Sequence, residues 1–264
     1  MRVATWNINS VRIRLDIIKK LEMLYNIDVL LLQETKTVNH SFPSEFFARI
    51  GFTNQYFEGE KSYNGVAIVS KIPFDDYFSL SFCNKDKRHV AAMIQGIEVH
   101  NFYWPAGGDI PDVNINPKFQ NKLQYIQEFK DWFYSNRNTK QKILLAGDLN
   151  IAPHEHDVWS SKALKNEVSH TDIERSMMMD VIKSFGWIDV ARHIIGDFED
   201  KRKIYSWWSY RNIDWQKSNR GRRLDHIWVS DTLKLHYSNF KIIKDARDWQ
   251  MPSDHVPVLI DLAI

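Results

Sequence analysis

The sequence predicts one α/β domain over residues 1–264 with a large share of sheet. Three observations carry that prediction. Short runs of Val, Ile and Leu recur along the chain, each bounded by Asn, Asp, Gly, Ser or Pro, as short strands require. Between them lie segments whose apolar residues repeat every three or four positions, the period of a helix packed on one face. No linker rich in Pro, Ser or Gly, no low-complexity tract and no short-period repeat divides the chain.

In chain order, residues 14–25 carry Leu15, Ile18, Leu21, Leu24 and Tyr25 at helical spacing, and Val29-Leu30-Leu31-Leu32 follows as a strand. Gly65-Val66-Ala67-Ile68-Val69 is a second strand. Residues 119–134 form a helix on Leu123, Ile126, Phe129 and Phe133, and Lys142-Ile143-Leu144-Leu145-Ala146 is the strand after it. A third helix covers 173–185, and Ile227-Trp228-Val229 and Val256-Pro257-Val258-Leu259-Ile260 close the series. The tryptophans are core residues by default.

With 264 residues, 44% hydrophobic and 26% charged, the composition is that of a globular protein and excludes disordered, collagenous and coiled-coil classes. The lone cysteine, Cys83, excludes a disulfide framework and a four-cysteine zinc site. No apolar run is long enough to span a bilayer and no hydrophobic stretch follows Arg2, so the expectation is a cytosolic protein with no membrane partner. No heptad or long exposed apolar stripe is evident, and a monomer is expected. A formal charge of +2, from 35 basic and 33 acidic residues, gives little bulk attraction to nucleic acid. Any such surface must be local. The candidate is Lys217-Ser218-Asn219-Arg220-Gly221-Arg222-Arg223, beside Trp207, Trp208, Tyr210 and Trp215. On charge alone a solvated basic loop is the better explanation.

The ends of the apolar runs are more informative. Val29-Leu30-Leu31-Leu32 runs into Gln33-Glu34, and Ile143-Leu144-Leu145-Ala146 into Gly147-Asp148-Leu149-Asn150, so both place a carboxylate just past a strand. Leu224-Asp225 and Ser253-Asp254-His255 instead stand just before strands. If the second pair of strands runs opposite to the first, Glu34, Asp148, Asp225, Asp254 and His255 reach one rim of a sheet sandwich, where Asn7 and Asn9 can join them. Each of these residues alone is equally suited to capping a turn; their recurrence at strand ends points to one acidic pocket. Extended parity aims Asp148 and Asn150 to one side with Leu149 into the core, and turns His226 away if Asp225 faces the pocket.

Other constellations fail on spacing. The histidines of His154-Glu155-His156-Asp157 are two apart, unlike the helical zinc pattern. Ser253, Asp254 and His255 are consecutive and cannot form a nucleophilic triad among themselves. Gly107-Gly108 lacks the surroundings of a nucleotide-binding loop, and Tyr63-Asn64-Gly65 reads equally as a hairpin turn. Carboxylates and amides without thiolates suit a hard cation such as magnesium, with substrate phosphate completing its shell. Phosphodiester hydrolysis needs a base to activate water, positive charge at the phosphoryl oxygens and help for the leaving oxygen. The pocket holds a candidate for each.

Seven segments then carry a family resemblance: Trp6-Asn7-Ile8-Asn9-Ser10-Val11-Arg12, Leu32-Gln33-Glu34-Thr35-Lys36, Tyr63-Asn64-Gly65-Val66, Asn101-Phe102-Tyr103-Trp104-Pro105, Gly147-Asp148-Leu149-Asn150-Ile151-Ala152-Pro153, Asn219-Arg220-Gly221-Arg222-Arg223-Leu224-Asp225 and Ser253-Asp254-His255-Val256-Pro257. In content and order, over essentially the whole chain, they resemble exonuclease III and its AP endonuclease relatives. Glu34, the Gly147 to Asn150 segment and the Ser253 to His255 segment alone would mark only the wider endonuclease, exonuclease and phosphatase superfamily.

The resemblance implies a four-layer αββα sandwich like that of deoxyribonuclease I, two mixed sheets flanked by helices. It implies a DNA-repair hydrolase that cuts beside abasic sites and trims 3′ ends as exonuclease and 3′-phosphodiesterase or phosphatase, with a mainly 3′-end-processing enzyme as the alternative. Magnesium is the implied cofactor, with manganese as its substitute, and double-stranded DNA with abasic sites or damaged 3′ ends is the implied partner. Glu34 corresponds to the principal metal ligand, with Asn9 nearby and Asp254 as a contributor to a second metal. Asp148 and Asn150 correspond to residues that orient or deprotonate the attacking water. His255, oriented by Asp225, corresponds to the donor to a phosphate oxygen, Asn7 to a bridge in the network, and Tyr103 to a phosphate contact. The base stays open between Asp148 and His255. Arg12, Tyr63, Asn64, Trp207, Arg220 and Arg222 fall where the family grips DNA.

Three segments depart from the pattern. Ala106-Gly107-Gly108-Asp109 stands where relatives carry an amide and a basic residue. Arg222 replaces an apolar or aromatic residue, and Ser169 and His170 are expected to narrow the pocket for an abasic sugar. A phosphatase of small phosphorylated molecules would share the catalytic set without needing the 210–223 region. A binding domain with a dead site would survive chelation of its metal.

Overall fold

A computed structural model describes residues 1–83, 85–196 and 202–263. The apolar runs form two six-stranded sheets. The first contains β1 (Arg2–Asn7), β2 (Val29–Gln33), β3 (Asn54–Glu60), β4 (Tyr63–Ser70), β11 (Tyr237–Ile242) and β12 (Val258–Leu262), in the order β11-β12-β1-β2-β4-β3. The second contains β5 (Asp76–Phe78), β6 (His89–Ile94), β7 (Ile97–Tyr103), β8 (Ile143–Asp148), β9 (Ile188–Asp189) and β10 (Asp225–Val229), in the order β5-β6-β7-β8-β10-β9. Each sheet has a parallel pair at its centre, β1 with β2 and β7 with β8, and antiparallel neighbours outside it.

Parallel neighbours need a long crossover, and the helical segments supply it. Helix α1 (Leu15–Tyr25) joins β1 to β2, α2 (Ser44–Arg49) follows β2, and α3 (Pro117–Asn136) joins β7 to β8. Helix α3 opens with Pro117 in its first turn and Asn116 accepting from the Lys118 amide. Beyond β8 come α4 (Ser161–Leu164), α5 (Asp172–Phe185), α6 (Val190–Ile195) and α7 (Trp215–Ser218). Helix α5 starts on a Thr171–Glu174 capping box and stops at Gly186, whose φ of 80° is costly for other residues.

Strand alternation sorts the side chains into layers. Val3, Val29, Leu31, Val66 and Ile68 of the first sheet meet Val90, Val99, Leu144, Ala146 and Ile227 of the second. Their alternate neighbours face outward onto helices. Ala4, Trp6, Leu30 and Leu32 pack on Ile17, Ile18 and Leu21 of α1, while Phe102, Leu145 and Trp228 pack on Ile126, Phe129 and Phe133 of α3 and Met178 and Val181 of α5. The layers are therefore helix, sheet, sheet, helix, as the resemblance implied. Leu24, placed by its spacing on the packed face of α1, is exposed. No helix among the described residues is long and apolar enough to cross a membrane.

The directions decide where the polar strand ends go. β12 runs antiparallel to β1 and β10 antiparallel to β8. The far ends of β1, β2, β7 and β8 therefore share an edge with the near ends of β10 and β12, and Asp225 pairs in register with Asp148. Just below that edge a buried amide chain ties the sheets together. Gln33 Nε2 donates to Thr5 Oγ1 at 2.9 Å and to Asn101 Oδ1 at 2.6 Å, while Asn101 Nδ2 donates to the carbonyls of Leu32 and Ala67 at 2.9 Å.

Candidate active site

The chain turns sharply at this edge. Asn9, Ser10, Glu34, Lys36, Asn64, Asn150 and Ser169 all adopt positive φ, a region costly for residues with side chains and common at functional sites. Neighbouring loops hold the turns. The Glu34 carbonyl accepts from Ser10 N, Thr35 N donates to the Gly65 carbonyl, and Lys36 N donates to the Asn64 carbonyl. Gly65 is required here, since at φ 88° a Cβ would sit 2.2 Å from Thr35 Oγ1. The structure thus makes Asn64-Gly65 a bulge inside β4; the two-residue turn of the β3–β4 hairpin is Lys61-Ser62.

The side chains converge as the strand-end pattern predicted. Asn7 is the hub: its Nδ2 donates to Glu34 Oε1 and to Asp148 Oδ2, each at 2.9 Å, and its Oδ1 accepts from Asn9 N. Tyr103 donates its hydroxyl to Glu34 Oε1 at 2.9 Å. His255 Nδ1 donates to Asp225 Oδ2 at 2.8 Å, and its Nε2 lies 3.7 Å from Asp148 Oδ2. Asp225 is itself held by position, because Ser206 Oγ accepts from the amides of Leu224 and Asp225 at 3.0 Å. Asp148, Asp225 and His255 bring their potential ligand atoms within 4.8 Å of one another.

Asn150 reaches the site by a different route from the parity argument. Strand β8 ends at Asp148, Asn150 turns to φ 52°, its amide donates to Asp148 Oδ1 at 3.0 Å, and its side chain donates to the Trp104 carbonyl at 2.9 Å. The turn, with Leu149 still buried, replaces extended alternation.

Burial and charge set the protonation states. Burial pushes the Asp148 carboxyl up to about 7, with the charges of Asp225 and Glu34 adding to it against the pull of His255. For His255 burial disfavours the cation, yet Asp225 and Asp148 lift the imidazole to about 10, so at neutral pH it is charged. Burial and the adjacent Glu34 keep the Tyr103 phenol well above its ordinary value. Against burial, Lys36 and the Asn7 amide hold Glu34 below the usual carboxylate range. Asp254 is likewise held low against burial, by His255, Asn9 and Trp207.

Lys36 bridges the proposed metal ligands, its Nζ standing 2.7 Å from Glu34 Oε2 and 2.6 Å from Asn9 Oδ1. Asp254 is engaged on both oxygens, by Asn9 Nδ2 and Trp207 Nε1 at 3.0 Å each. Beside these groups opens a cleft of about 560 Å³, whose walls include Glu34, Asn150, Ser169, Trp207, Arg222 and His255. Arg222 lies over the Trp207 ring, with Nη1 donating to the Val168 carbonyl at 2.8 Å and to Ser169 Oγ at 2.7 Å. Arg12, Arg220 and Tyr63 are exposed, Tyr63 by 55%.

Several expectations change. Asn64 has 2% of its surface exposed, so its side chain is not part of the open surface; its backbone carbonyl accepts from Lys36 N, while its side-chain amide is buried without a hydrogen-bond partner among the described residues. His170 is buried, bonded to Ser161 Oγ and the Ala152 carbonyl, and does not narrow the cleft; Ser169 alone of that pair lines it. Arg223 belongs to the core, clamped between Asp157 and Asp189. That clamp also explains Asp157 of the rejected zinc cluster. His226 is turned inward onto the Ile151 carbonyl, as parity required.

Lys36 and Arg88 were missed by sequence reasoning. Lys36 sits within the Glu34 motif, two residues on and at the same rim. Arg88, whose guanidinium lies 5.0 Å from the Tyr103 ring and 5.8 Å from that of Tyr63, left no signal beyond its place before β6.

Comparison with known proteins agrees with this architecture. The profile of the endonuclease/exonuclease/phosphatase family matches residues 4–255. An exodeoxyribonuclease III from Haemophilus influenzae is 26% identical, with 98% of each chain covered, and an exodeoxyribonuclease from Bacillus subtilis is 27% identical, again over 98% of each. Among solved structures, an AP endonuclease from Archaeoglobus fulgidus superposes with a TM-score of 0.91 at 31% identity, and a 3′ phosphatase from Neisseria bound to a product DNA hairpin with 0.87 at 28%, both over the full length of each chain. With the family profile matched over nearly the whole chain and the same sandwich in the solved relatives, this chain belongs to the endonuclease/exonuclease/phosphatase family and, within it, to the exonuclease III and AP endonuclease branch of ester-bond hydrolases.

Proposed function

We propose that the chain is a magnesium-dependent DNA-repair nuclease that hydrolyses phosphodiesters beside abasic sites and at 3′ ends, with manganese able to substitute. The observation that carries this reading is the convergence of Asp148, the His255–Asp225 pair and Glu34 around Asn7 on one sheet edge. The donor set fits a hard cation: Glu34 Oε2 and Asn9 Oδ1 are both oxygens, and here they already share the Lys36 ammonium. Glu34 and Asn9 would hold the ion, and Asp254, which here fixes Asn9, would contribute to a second one. When bound, the cation would supply Lewis-acid charge to the phosphoryl oxygens.

The protein's own groups do the rest. Asp148, with a pKa near neutrality, takes the proton of the attacking water, which Asn150 orients. His255, kept cationic by Asp225, donates from Nε2 to a phosphoryl oxygen as negative charge grows. Tyr103 keeps its proton, contacts the phosphate on the Glu34 side and offers its hydroxyl hydrogen to the oxygen that departs as the P–O bond breaks. Arg12, Arg220 and Tyr63 are the exposed groups suited to backbone phosphates, which fix position without reading bases.

The wall of Ser169 and Arg222 favours a second emphasis, end processing. A 3′-phosphomonoester carries more negative charge than a diester, and Arg222 places a cation in the cleft. Two end-labelled duplexes in magnesium decide between them, one with an internal abasic analogue and one with a recessed 3′-phosphate. Cleavage of both, abolished by EDTA, supports the full reading; attack on the 3′ end alone leaves an end-processing enzyme. A duplex-inactive protein that hydrolyses small phosphoesters would overturn both.

A further inference from the structure

Beneath the floor of the cleft, Lys122 of α3 and Glu174 of α5 are both fully buried and pair at 2.5 Å, Nζ to Oε1. Neither belongs to a motif of the active site. Burying two charges is costly, and a well-packed apolar pair of similar volume is often as stable, so stability alone is a poor reason for a pair in this place. Its hydrogen bonds are more telling. Lys122 Nζ donates to the Asn150 carbonyl at 2.8 Å and to the Ala106 carbonyl at 3.2 Å. Glu174 accepts from Ser169 N on both oxygens at 3.0 Å, besides the Thr171 contacts of its capping box. Capping accounts for the Thr171 contacts only.

One ion pair therefore gathers the segment leaving β7, the turn after β8 and the left-handed Ser169. Each carries a working group. The segment at Ala106 follows Tyr103; Asn150 fixes Asp148 Oδ1 through its amide; Ser169 Oγ receives Arg222. The packing is tight as well, since a Cβ on Gly107 would come 2.8 Å from Lys122 Cδ and 3.1 Å from Val168 Cγ1.

We propose that Lys122 and Glu174 are positioning residues that hold the Asp148–Asn150 strand end in register with the substrate wall at Ser169 and Arg222. The inference rests on Asp148 and Asn150 acting as described under the proposed function. Small displacements of a reacting geometry cost rate steeply, about 100-fold for roughly 1 Å, while leaving the fold intact.

The test compares the unsubstituted protein with Lys122→Met/Glu174→Gln, Glu174→Gln and Asp148→Asn, by kcat and KM on the abasic-analogue and 3′-phosphate duplexes and by thermal unfolding. The double variant removes both charges at nearly constant volume. Its melting temperature should match or exceed the parent's, while kcat falls about 10- to 100-fold with KM changed less than about threefold. A purely structural pair would instead leave kcat at the parent value in a folded variant, which overturns the proposal. If the double variant does not fold, Glu174→Gln decides, because glutamine keeps the acceptor for Ser169 N: a folded protein with reduced kcat supports positioning, and parent kcat or failure to fold overturns it. Parent turnover in Asp148→Asn sinks the functional reading itself. An inactive Asp148→Asn beside a fully active double variant sinks only the present inference.

Discussion

Lys217, Arg220, Arg222 and Arg223 stand together in sequence and meet different fates in the structure, and Arg223→Met separates those fates. Arg223 is buried, and its guanidinium makes four contacts: Nε and Nη2 to Asp157 at 2.9 Å, and Nη1 and Nη2 to Asp189 at 2.9 and 2.7 Å. Methionine fills the stem and leaves the carboxylates without that charge. Asp157 keeps Arg192, but Asp189 loses its guanidinium partner. Breaking one side of a buried pair costs about 3–5 kcal/mol, limited by the ability of Asp189 to take up a proton. At about 2–4 °C per kcal/mol for a chain of this size, the melting temperature should fall by roughly 6–20 °C.

Acid sharpens the test. Against burial, Arg223 holds Asp157 and Asp189 below the usual carboxylate value of 3.8. A depressed carboxylate stabilises the fold above its unfolded pKa, and that stability drains as pH falls through the folded pKa. The parent's melting temperature should therefore drop below about pH 4, more steeply than that of Arg223→Met. The assay is thermal unfolding by circular dichroism across pH, with duplex affinity measured in parallel at a temperature where both proteins are folded. A variant melting within about 2 °C of the parent that loses DNA affinity would refute the reasoning and return Arg223 to the DNA surface.

Three further outcomes follow from the same structure. Arg220→Ala should weaken duplex binding across sequences and lower the salt slope by about 1 with the melting temperature unchanged, because its guanidinium is exposed and lies over the Trp159 ring; an unaltered slope removes it from the interface. Glu34→Gln should raise the magnesium concentration for half-maximal activity at least about tenfold, and a metal response equal to the parent's would show that the ligand lies elsewhere. Gly65→Ala forces a Cβ against Thr35 Oγ1 at positive φ, at a cost of about 1–3 kcal/mol, and should also weaken the metal response by shifting the Glu34 turn; a variant with parent stability and response would contradict that coupling.

The sequence is most legible where one physical rule dominates. Strands buried on both faces produce unbroken apolar runs, so Glu34, Asp148, Asp225 and His255 at their ends stand out, and reversing two strands was enough to bring them together. Local rules fail where a distant partner decides. Asn64-Gly65 has the chemistry of a hairpin turn, but the Glu34 loop takes those residues as a bulge and the turn moves to Lys61-Ser62. Arg223 looks like the rest of a basic loop until Asp157 and Asp189, far away in sequence, fold over it. Lys122 shares the packed face of α3 with Ile126 and Phe129, and the partners that neutralise it there, Glu174 and two loop carbonyls, cannot be foreseen from one helix pattern.

Catalysis depends most on Asp148 and the His255–Asp225 pair acting as one unit on the phosphoryl group. The direct measurement is single-turnover cleavage of an abasic-analogue duplex in magnesium by the parent, Asp148→Asn, His255→Ala and the double variant, each checked for its fold. Each single change should lower the rate by orders of magnitude, and the double variant should be little slower than the worse single, as for groups that work together. Near-parent turnover in both single variants, or losses that simply multiply in the double, would contradict it.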